Sequence, residues 1–360
     1  MRTLLRATKT TGLGPSITKV GTKLLPHVNA SSVISPLNID DAMSIIRLGA
    51  VNQTEKELAA FLEFRALPDN LAMIHHLFNQ DIVKLANCLL VNNIAPLRDT
   101  FLAQVNGLAL ISNEDFSDPE TVVNKANSFI AEKTNGLITN VLSTATVDQR
   151  TMMILIATIY FKAQWKNAFK IKRTRMLPFN GNDAIQVPMM SGTFECFYGC
   201  DDVVQMIELP YTDENFTMGF ILPRSKEASM DVCYPYIGSV DLRETDVCVS
   251  IPKFTQRTKL DLVEILKKEG VRDLFTSECK LDGMFEDSRN IYVSQILHEA
   301  VVIVDEEGTE AAAVTAVVFS RESCRQPSKP ITFTADRSFI FYIKHKPTDI
   351  IMFVGEFNGN

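Results

Sequence analysis

The sequence lacks the features that would divide it into parts or anchor it in a membrane. No Gly/Ser linker, low-complexity tract or internal repeat interrupts the 360 residues, so we expect a single domain over residues 1–360. No apolar run approaches the length of a membrane span, and residues 1–9 lack the apolar core of a signal peptide. A net charge of −7 argues against a nucleic-acid-binding surface. We therefore expect neither nucleic acid nor a membrane among the partners.

The cysteine and histidine residues form no pattern typical of a metal site or a catalytic centre. The seven cysteines are odd in number and scattered, which argues against a dense disulfide framework. The close pair Cys196 and Cys200 has no His or Cys partner pair nearby, so we interpret both as free thiols. The five histidines come without a G-x-S-x-G elbow, a P-loop or an HExxH motif, and His75-His76 indicates a pair on a surface helix. We expect no enzymatic activity, no cofactor and no metal.

Hydrophobic periodicity predicts helices early in the chain and strands later. A helix begins at Asp118-Pro119 with a cap-like Asp and ends at Asn135-Gly136. Met152–Phe161 is an almost unbroken apolar run, typical of a buried central strand. The other predicted elements are a helix over Leu260–Glu269 and strands at Val247–Ile251, Val301–Val304, Phe339–Ile343 and Ile350–Val354, the last two forming a hairpin. This order indicates an α+β fold.

The segment after Val304 has an unusual composition. Asp305-Glu306-Glu307-Gly308 interrupts the strand, and the eleven residues of Thr309–Phe319 contain one charge and neither Pro nor Gly. Alternate residues of this stretch would share one face of a strand, and nothing in it prevents pairing inside a sheet. Alanine is nonetheless a poor strand former. The composition therefore fits either a strand that forms conditionally, or an Ala-rich helical turn or surface loop.

Short motifs along nearly the whole chain decide between these readings. They are Ser35-Pro36-Leu37, Tyr160-Phe161-Lys162 with Trp165, Ile207-Glu208-Leu209-Pro210-Tyr211, Pro252-Lys253-Phe254, Asp273-Leu274-Phe275, His298-Glu299-Ala300, Phe333-Thr334-Ala335-Asp336 and Phe353-Val354-Gly355. In this order and at these separations they resemble the serpin family. The nine residues Glu306–Val314 resemble the hinge of its reactive loop.

The resemblance implies about nine helices around three β-sheets, with an exposed reactive loop at about residues 306–331 as bait. Serpins inhibit serine-type proteases as suicide substrates, because cleavage of the loop gives a covalent acyl complex. The cut loop then inserts into the central sheet of a metastable fold. We expect a trypsin-like serine protease as partner and a monomeric protein. The hinge residues are Glu306, Glu307, Gly308, Thr309, Glu310, Ala311, Ala312 and Ala313.

The hinge composition favours an inhibitory member of the family. Thr309 would be the first inward side chain to insert, and a charge there would be buried without a partner at a cost of about several kcal/mol. Ala311 and Ala313 follow and offer little steric resistance. The alternative is a non-inhibitory serpin with a carrier, chaperone or storage role, and such relatives often have bulky, charged or Pro residues in this stretch.

The position of the cleaved bond stays open between three choices. Spacing from Gly308 places the residue before the bond at Glu322 or one earlier at Arg321, and the preference of trypsin-like proteases for a basic residue favours Arg321. We prefer Arg321-Glu322 and keep Glu322-Ser323 and Arg325-Gln326 as alternatives. The stretch from the cleaved bond to Phe339 is about five residues longer than the family pattern, so the spacing from Gly308 is a weaker guide to the position of the bond.

The resemblance also marks a set of residues that control the opening of the central sheet. They are Ser35, Asn38, Ala157, Thr158, Trp165 and His298. Asn38, Ala157 and Thr158 depart from the usual residues of the family, so we expect His298 to bond to Asn38 or Thr158. The alternative is an ordinary core histidine with its hydrogen bonds satisfied.

Three further expectations concern the N-terminal helix, heparin binding and the location of the protein. We expect a short N-terminal helix interrupted by Gly12, Gly14 and Pro15. The region Phe64–Asp81, where some serpins bind heparin, has no basic cluster here, so we expect no strong heparin effect. The habit of the family favours an extracellular protein, with a cytoplasmic location as the alternative because no signal peptide is visible.

Overall fold

The computed structural model describes residues 12–63, 68–78, 80–180, 182–238, 241–287, 290–309 and 330–359. Helices α1 to α7 span Leu13–Leu24, Pro36–Gly49, Asn52–Leu62, Pro68–Phe78, Asp99–Gln104, Pro119–Lys133 and Val263–Lys268. Strands β1 to β8 span Val33–Ile34, Val83–Asn92, Leu110–Glu114, Met153–Phe161, Ala163–Gln164, Arg175–Phe179, Asn182–Cys200 and Val204–Pro210. Strands β9 to β16 span Phe216–Pro223, Arg243–Pro252, Phe254–Asp261, Gln295–Val304, Gly308–Thr309, Ile331–Thr334, Phe339–His345 and Ile350–Phe357.

These strands form two sheets in the described part of the chain. The central sheet has the order β3-β2-β4-β12-β13-β5, with β11 paired to β12. The second sheet has the order β1-β16-β15-β9-β8-β7-β10-β14, and β6 pairs with β7 at one edge. The long strand β7 has three partners along its length: its first residues pair with β6, Met189–Tyr198 pair with β10, and Phe197–Cys200 pair with β8. The mixture of helices and sheets confirms the α+β prediction.

Strand β4 and helix α6 follow directly from their sequences. All nine residues of Met153–Phe161 are buried, as the apolar run predicts for a strand with a layer on each face. Asp118 caps α6 by accepting from the Thr121 backbone N–H at 3.2 Å. The helix ends where Asn135 and Gly136 take positive φ angles of 50° and 78°. Its apolar face packs on one side of β2 and β4.

Two predicted helices differ from the structure. Leu260 does not belong to the helix near 265, because it pairs with His298 in the ladder between β11 and β12, and the helix is only Val263–Lys268. Gly14 and Pro15 do not interrupt the N-terminal helix; they lie in the first turn of α1, where the backbone N–H groups have no partner within the helix and proline is tolerated. Among the described helices, none is long and apolar enough to cross a membrane.

Helix α2 is buried nearly all round between the two sheets. Ser35 caps it through its hydroxyl, which accepts from the Asn38 N–H at 3.1 Å, and Pro36 occupies the first turn. The buried residues of the helix include four polar ones, Asn38, Asp40, Asp41 and Ser44. Buried polar groups need hydrogen-bond partners, so this helix brings a polar cluster directly beneath the central sheet.

Candidate functional site: the loop root and the sheet seam

The chain reverses direction in a tight turn between β12 and β13. The Asp305 carboxylate accepts from the backbone N–H groups of Glu307 and Gly308 at 2.9 and 3.1 Å, and the Asp305 N–H donates to the Gly308 carbonyl. Thr309 then pairs with Val304 on one side and with Ala163 on the other. Gly308 and Thr309, the latter being the first residue of the Ala-rich segment, therefore lie in the central sheet. We call residues 305–309 the loop root.

Gly308 is required by the close approach of β5. A Cβ atom at this position would lie 2.2 Å from the Ala163 carbonyl oxygen and 2.7 Å from the Gln164 Cα, and both contacts are with backbone. No side chain fits without moving β5 away from the root. The glycine of the hinge motif thus has a steric reason in this fold.

Thr309 lies inside the central sheet, between β12 and β5. It is 1% exposed, and its hydroxyl lies 2.7 Å from the Tyr211 hydroxyl, which is also buried. Burial raises the pKa of Tyr211 far above its ordinary range, so the pair is neutral. A charged side chain at 309 would enter a site that holds only uncharged partners.

Trp165 packs against the loop root and bonds to its backbone. Its indole N–H donates to the Asp305 carbonyl at 2.9 Å, and its backbone N–H donates to the Glu307 carbonyl at 2.8 Å. The ring stacks on Tyr211 with centroids 4.7 Å apart and an angle of 4° between the planes. Trp165 is therefore fixed against the loop root by two hydrogen bonds and by its stack on Tyr211.

Glu306 anchors the root through charge. Its carboxylate pairs with Lys253 at 2.8 Å and accepts from the Thr174 hydroxyl at 2.8 Å, while its side chain is 7% exposed. Burial opposes ionisation of Glu306, but the hydrogen bonds from Lys253 and Thr174 prevail and lower its pKa. The root is therefore tied to two separate segments, one from β10–β11 and one just before β6.

Below the root, β12 pairs directly with β4 in parallel, from Gln295–Ala300 against Ile154–Ile159. We call this pairing the seam. His298 spans it: its Nδ1 lies 2.9 Å from the Ala157 carbonyl, and its Nε2 lies 3.0 Å from the Ser35 backbone nitrogen. Both bonds are satisfied when Nδ1–H donates and Nε2 accepts. Burial lowers the pKa of His298 to about 4, so the imidazole is neutral at neutral pH.

The expected partners of His298 were wrong. Asn38 donates instead to the Asn87 side chain at 2.7 Å, and the Thr158 hydroxyl donates to the Ala86 carbonyl at 3.0 Å. Both partners of His298 are backbone groups, the Ala157 carbonyl and the Ser35 N–H. These groups are present whatever side chain stands at position 157. The departures at Asn38, Ala157 and Thr158 therefore leave the bonds of this histidine intact.

The cluster extends further than the sequence indicated. Asn87 links Asn38 to the Asp41 carboxylate, and Asp41 lies 2.9 Å from the His75 Nε2 on helix α4. The prediction of a surface position was wrong for His75, which is buried, and right for His76. Burial disfavours protonation of His75, but the Asp41 carboxylate prevails and raises its pKa. A chain of hydrogen bonds thus connects α4 with Ser35 and the seam.

Asp40 lies beside this chain of bonds without joining it. It is 1% exposed, and its Oδ1 has no hydrogen-bond partner among the described residues. Burial raises the pKa of Asp40 to about 8, and the neighbouring Asp41 carboxylate adds to this effect. Asp40 is therefore a buried carboxyl group that is mostly protonated at neutral pH.

The structure places the predicted site residues in two groups, one at the loop root and one at the seam. Trp165 bonds to the loop root, which includes Glu306–Thr309, and His298 contacts Ala157 and Ser35 at the seam. The hinge residues Glu310, Ala311, Ala312 and Ala313 lie outside the described residues, as do the bond candidates Arg321, Glu322, Ser323, Arg325 and Gln326. Tyr211, Lys253 and Thr174 are partners whose roles the sequence did not indicate.

The comparisons with known proteins agree on one family. The family model described as "Serpin (serine protease inhibitor)" matches residues 15–359, so the chain belongs to the serpin family. It is 34% identical to a serpin-like protein of Acanthamoeba polyphaga mimivirus, over 92% of this chain and 85% of that one. It is 31% identical to the leukocyte elastase inhibitor of Bos taurus, over 93% and 95% of the two chains. A crystal structure of native protease nexin-1 with heparin has a TM-score of 0.83, 28% identity and coverage of 96% and 98%.

Proposed function

We propose that the protein is an inhibitory serpin that traps a trypsin-like serine protease. The protease would cleave the reactive loop within residues 306–331 and form a covalent acyl complex. The loop would then insert between β4 and β12, which must separate along the seam. Membership of a family of serine protease inhibitors supports the class of activity.

The observation that carries the proposal is the loop root. Gly308 and Thr309 already pair with β5, and Thr309 also pairs with Val304 of β12, just beyond Ala300, the last β12 residue of the seam. Continued insertion would add one ladder step per residue and exchange the β4–β12 pairing for two new ones. The gain in hydrogen bonds and buried apolar surface would drive the movement.

The decisive experiment is a protease challenge with the full chain. Incubation with trypsin should give an SDS-resistant complex, and mass spectrometry of the released peptide should place the cut after Arg321. Cuts after Glu322 or Arg325 would keep the mechanism and change the specificity. Cleavage without any stable complex would favour the non-inhibitory alternative with a carrier, chaperone or storage role.

The weak heparin effect stays a prediction, and the comparisons do not support it, because a similar structure was determined with heparin. The described part of α4 carries His75 and His76 and no Lys or Arg, and His75 is buried. Inhibition rates measured with and without heparin test this directly. Acceleration by about ten-fold or more, within the range of electrostatic rate effects, would contradict the prediction.

A further inference from the structure

A basic and apolar surface lies beside the loop root, in the segment from Lys170 to Leu177. Four of the six residues at 170–175 are Lys or Arg, in a chain whose net charge is −7. The segment contains a short 3-10 turn, Ile171–Arg173, and the start of β6. We call it the basic edge. Within the described residues, no carboxylate forms an ion pair with its four cations, Lys170, Lys172, Arg173 and Arg175.

The basic edge also exposes large apolar side chains. Ile171 is 69% exposed, Met176 is 58% exposed and Leu177 is 40% exposed. They are three of the eight large hydrophobic residues that are exposed in the described part of the chain, and they fall within seven consecutive positions. Exposed apolar side chains interspersed with Lys and Arg along one segment have the composition of a protein-binding surface.

The position of the basic edge connects it with the reactive loop. The Phe169 backbone N–H donates to the Glu306 carbonyl at 2.8 Å, and the Thr174 hydroxyl donates to the Glu306 carboxylate at 2.8 Å. These bonds hold the segment against the loop root. Any protein that approaches the loop from this side therefore meets the basic edge.

We infer that the basic edge is a docking surface for the target protease and that it selects proteases with an acidic surface beside the active-site cleft. The inference rests on the proposed inhibitory function. Concentrated positive charge on a chain of negative net charge would attract an acidic partner locally and raise the association rate. Ile171, Met176 and Leu177 would then be covered in the complex, and this apolar contact favours a protein over a sulfated polysaccharide.

The test uses two trypsins of the same cleavage specificity but opposite net charge, the anionic and cationic forms. The edge variant replaces Lys170, Lys172, Arg173 and Arg175 with Gln. The matched control replaces four exposed cations elsewhere, Lys56, Arg224, Lys226 and Lys268, with Gln, which removes the same total charge. Circular dichroism and the guanidinium midpoint check that both variants fold like the wild type.

At low ionic strength the wild type should inhibit anionic trypsin about ten-fold faster than cationic trypsin, and high salt should reduce this preference. The edge variant should lose most of the preference, while the control variant should keep it. Equal preference in both variants would overturn the inference. The inference would also be overturned if the edge variant inhibited both trypsins at the wild-type rates but self-associated. The charges would then only protect an exposed sheet edge.

A second readout separates this inference from the proposed function. Binding of an inactive anionic trypsin, with its catalytic Ser replaced by Ala, requires no acyl complex. The edge variant should bind the inactive trypsin about five-fold or more weakly than the wild type, and the inactive trypsin should dissociate faster from Ile171→Ser. These results would support the docking surface even if no complex survives SDS. Binding that is unchanged in the edge variant, or a surface that retains only heparin and not the inactive protease, would overturn it.

Discussion

The loop root and the seam hold the central sheet by different means. At the root, a charged pair, a steric fit around Gly308 and the indole of Trp165 hold two residues of the loop in place. At the seam, the strands pair directly, and the groups beneath them are fully buried and rely on neutral hydrogen bonds around His298. The root can therefore be disturbed by size and charge, whereas the seam responds to the protonation of buried groups.

The largest expected effect is at the root. Thr309→Arg would place a charge where a buried hydroxyl now contacts Tyr211, so insertion should fail and the protein should become a substrate. The yield of SDS-resistant complex with trypsin should fall about 100-fold relative to cleaved product, which corresponds to about 3 kcal/mol. Thr309→Val keeps the shape without the hydroxyl and should keep most of the complex. Equal complex from Thr309→Arg and the wild type would contradict the insertion mechanism.

On the buried helix α2, beneath the central sheet, Asp40→Asn should stabilise the protein at neutral pH. The folded pKa of Asp40 is about 8, against an ordinary value of 3.8, so its contribution to stability is present below pH 3.8 and is lost as the pH rises towards 8. An amide avoids this loss. We expect a gain of about 2 kcal/mol in the free energy of unfolding at pH 7 and little change at acid pH, measured from guanidinium midpoints. A destabilised variant at pH 7 would mean that the carboxyl group makes a bond that the amide cannot replace.

The two buried histidines of the polar cluster should respond to pH in opposite directions. The pKa of His298 is lowered to about 4 from 6.5, so its contribution is present above pH 6.5 and is lost as the pH falls towards 4. The stability difference between the wild type and His298→Gln, about 1 to 2 kcal/mol at pH 7, should therefore shrink on acidification.

The corresponding variant of His75 is the internal control. The pKa of His75 is raised by Asp41, so its contribution is present below pH 6.5 and is lost as the pH rises through the folded value. The difference between the wild type and His75→Gln should grow on acidification from pH 9 to pH 6. Parallel pH trends for the two variants would show that the histidines do not titrate as their surroundings indicate.

The smallest effect should come from the charged pair at the root. Lys253 is 46% exposed at its side chain, so solvent weakens its attraction to Glu306. A double-mutant cycle with Lys253→Met and Glu306→Gln should give a coupling free energy of about 1 kcal/mol, measured by guanidinium unfolding. A coupling near zero would leave Gly308 and Trp165 as the main determinants of the root.

Much of the fold could be predicted because its signals are local. The cap at Asp118, the stop at Asn135-Gly136 and the apolar run that became β4 each lie within one element. The hinge was found through the resemblance to a family. Its strand pairing explains the residue types, because Gly308 lies against the backbone of β5 and Thr309 lies between two strands. The contact between Asp41 and His75 joins residues 34 positions apart, and that between Asp41 and Asn87 joins residues 46 apart. No local pattern marks such pairs, because packing of α2 against α4 and β2 creates them.

Trp165 gives the protein a built-in optical probe. It is the only tryptophan in the sequence, so all indole emission comes from a ring whose N–H bonds to the Asp305 carbonyl and whose face lies on Tyr211. Any movement that carries the loop past this ring must change its hydrogen bond, its stacking or its contact with water. The time course of loop movement can therefore be followed by stopped-flow fluorescence in the unlabelled wild-type chain.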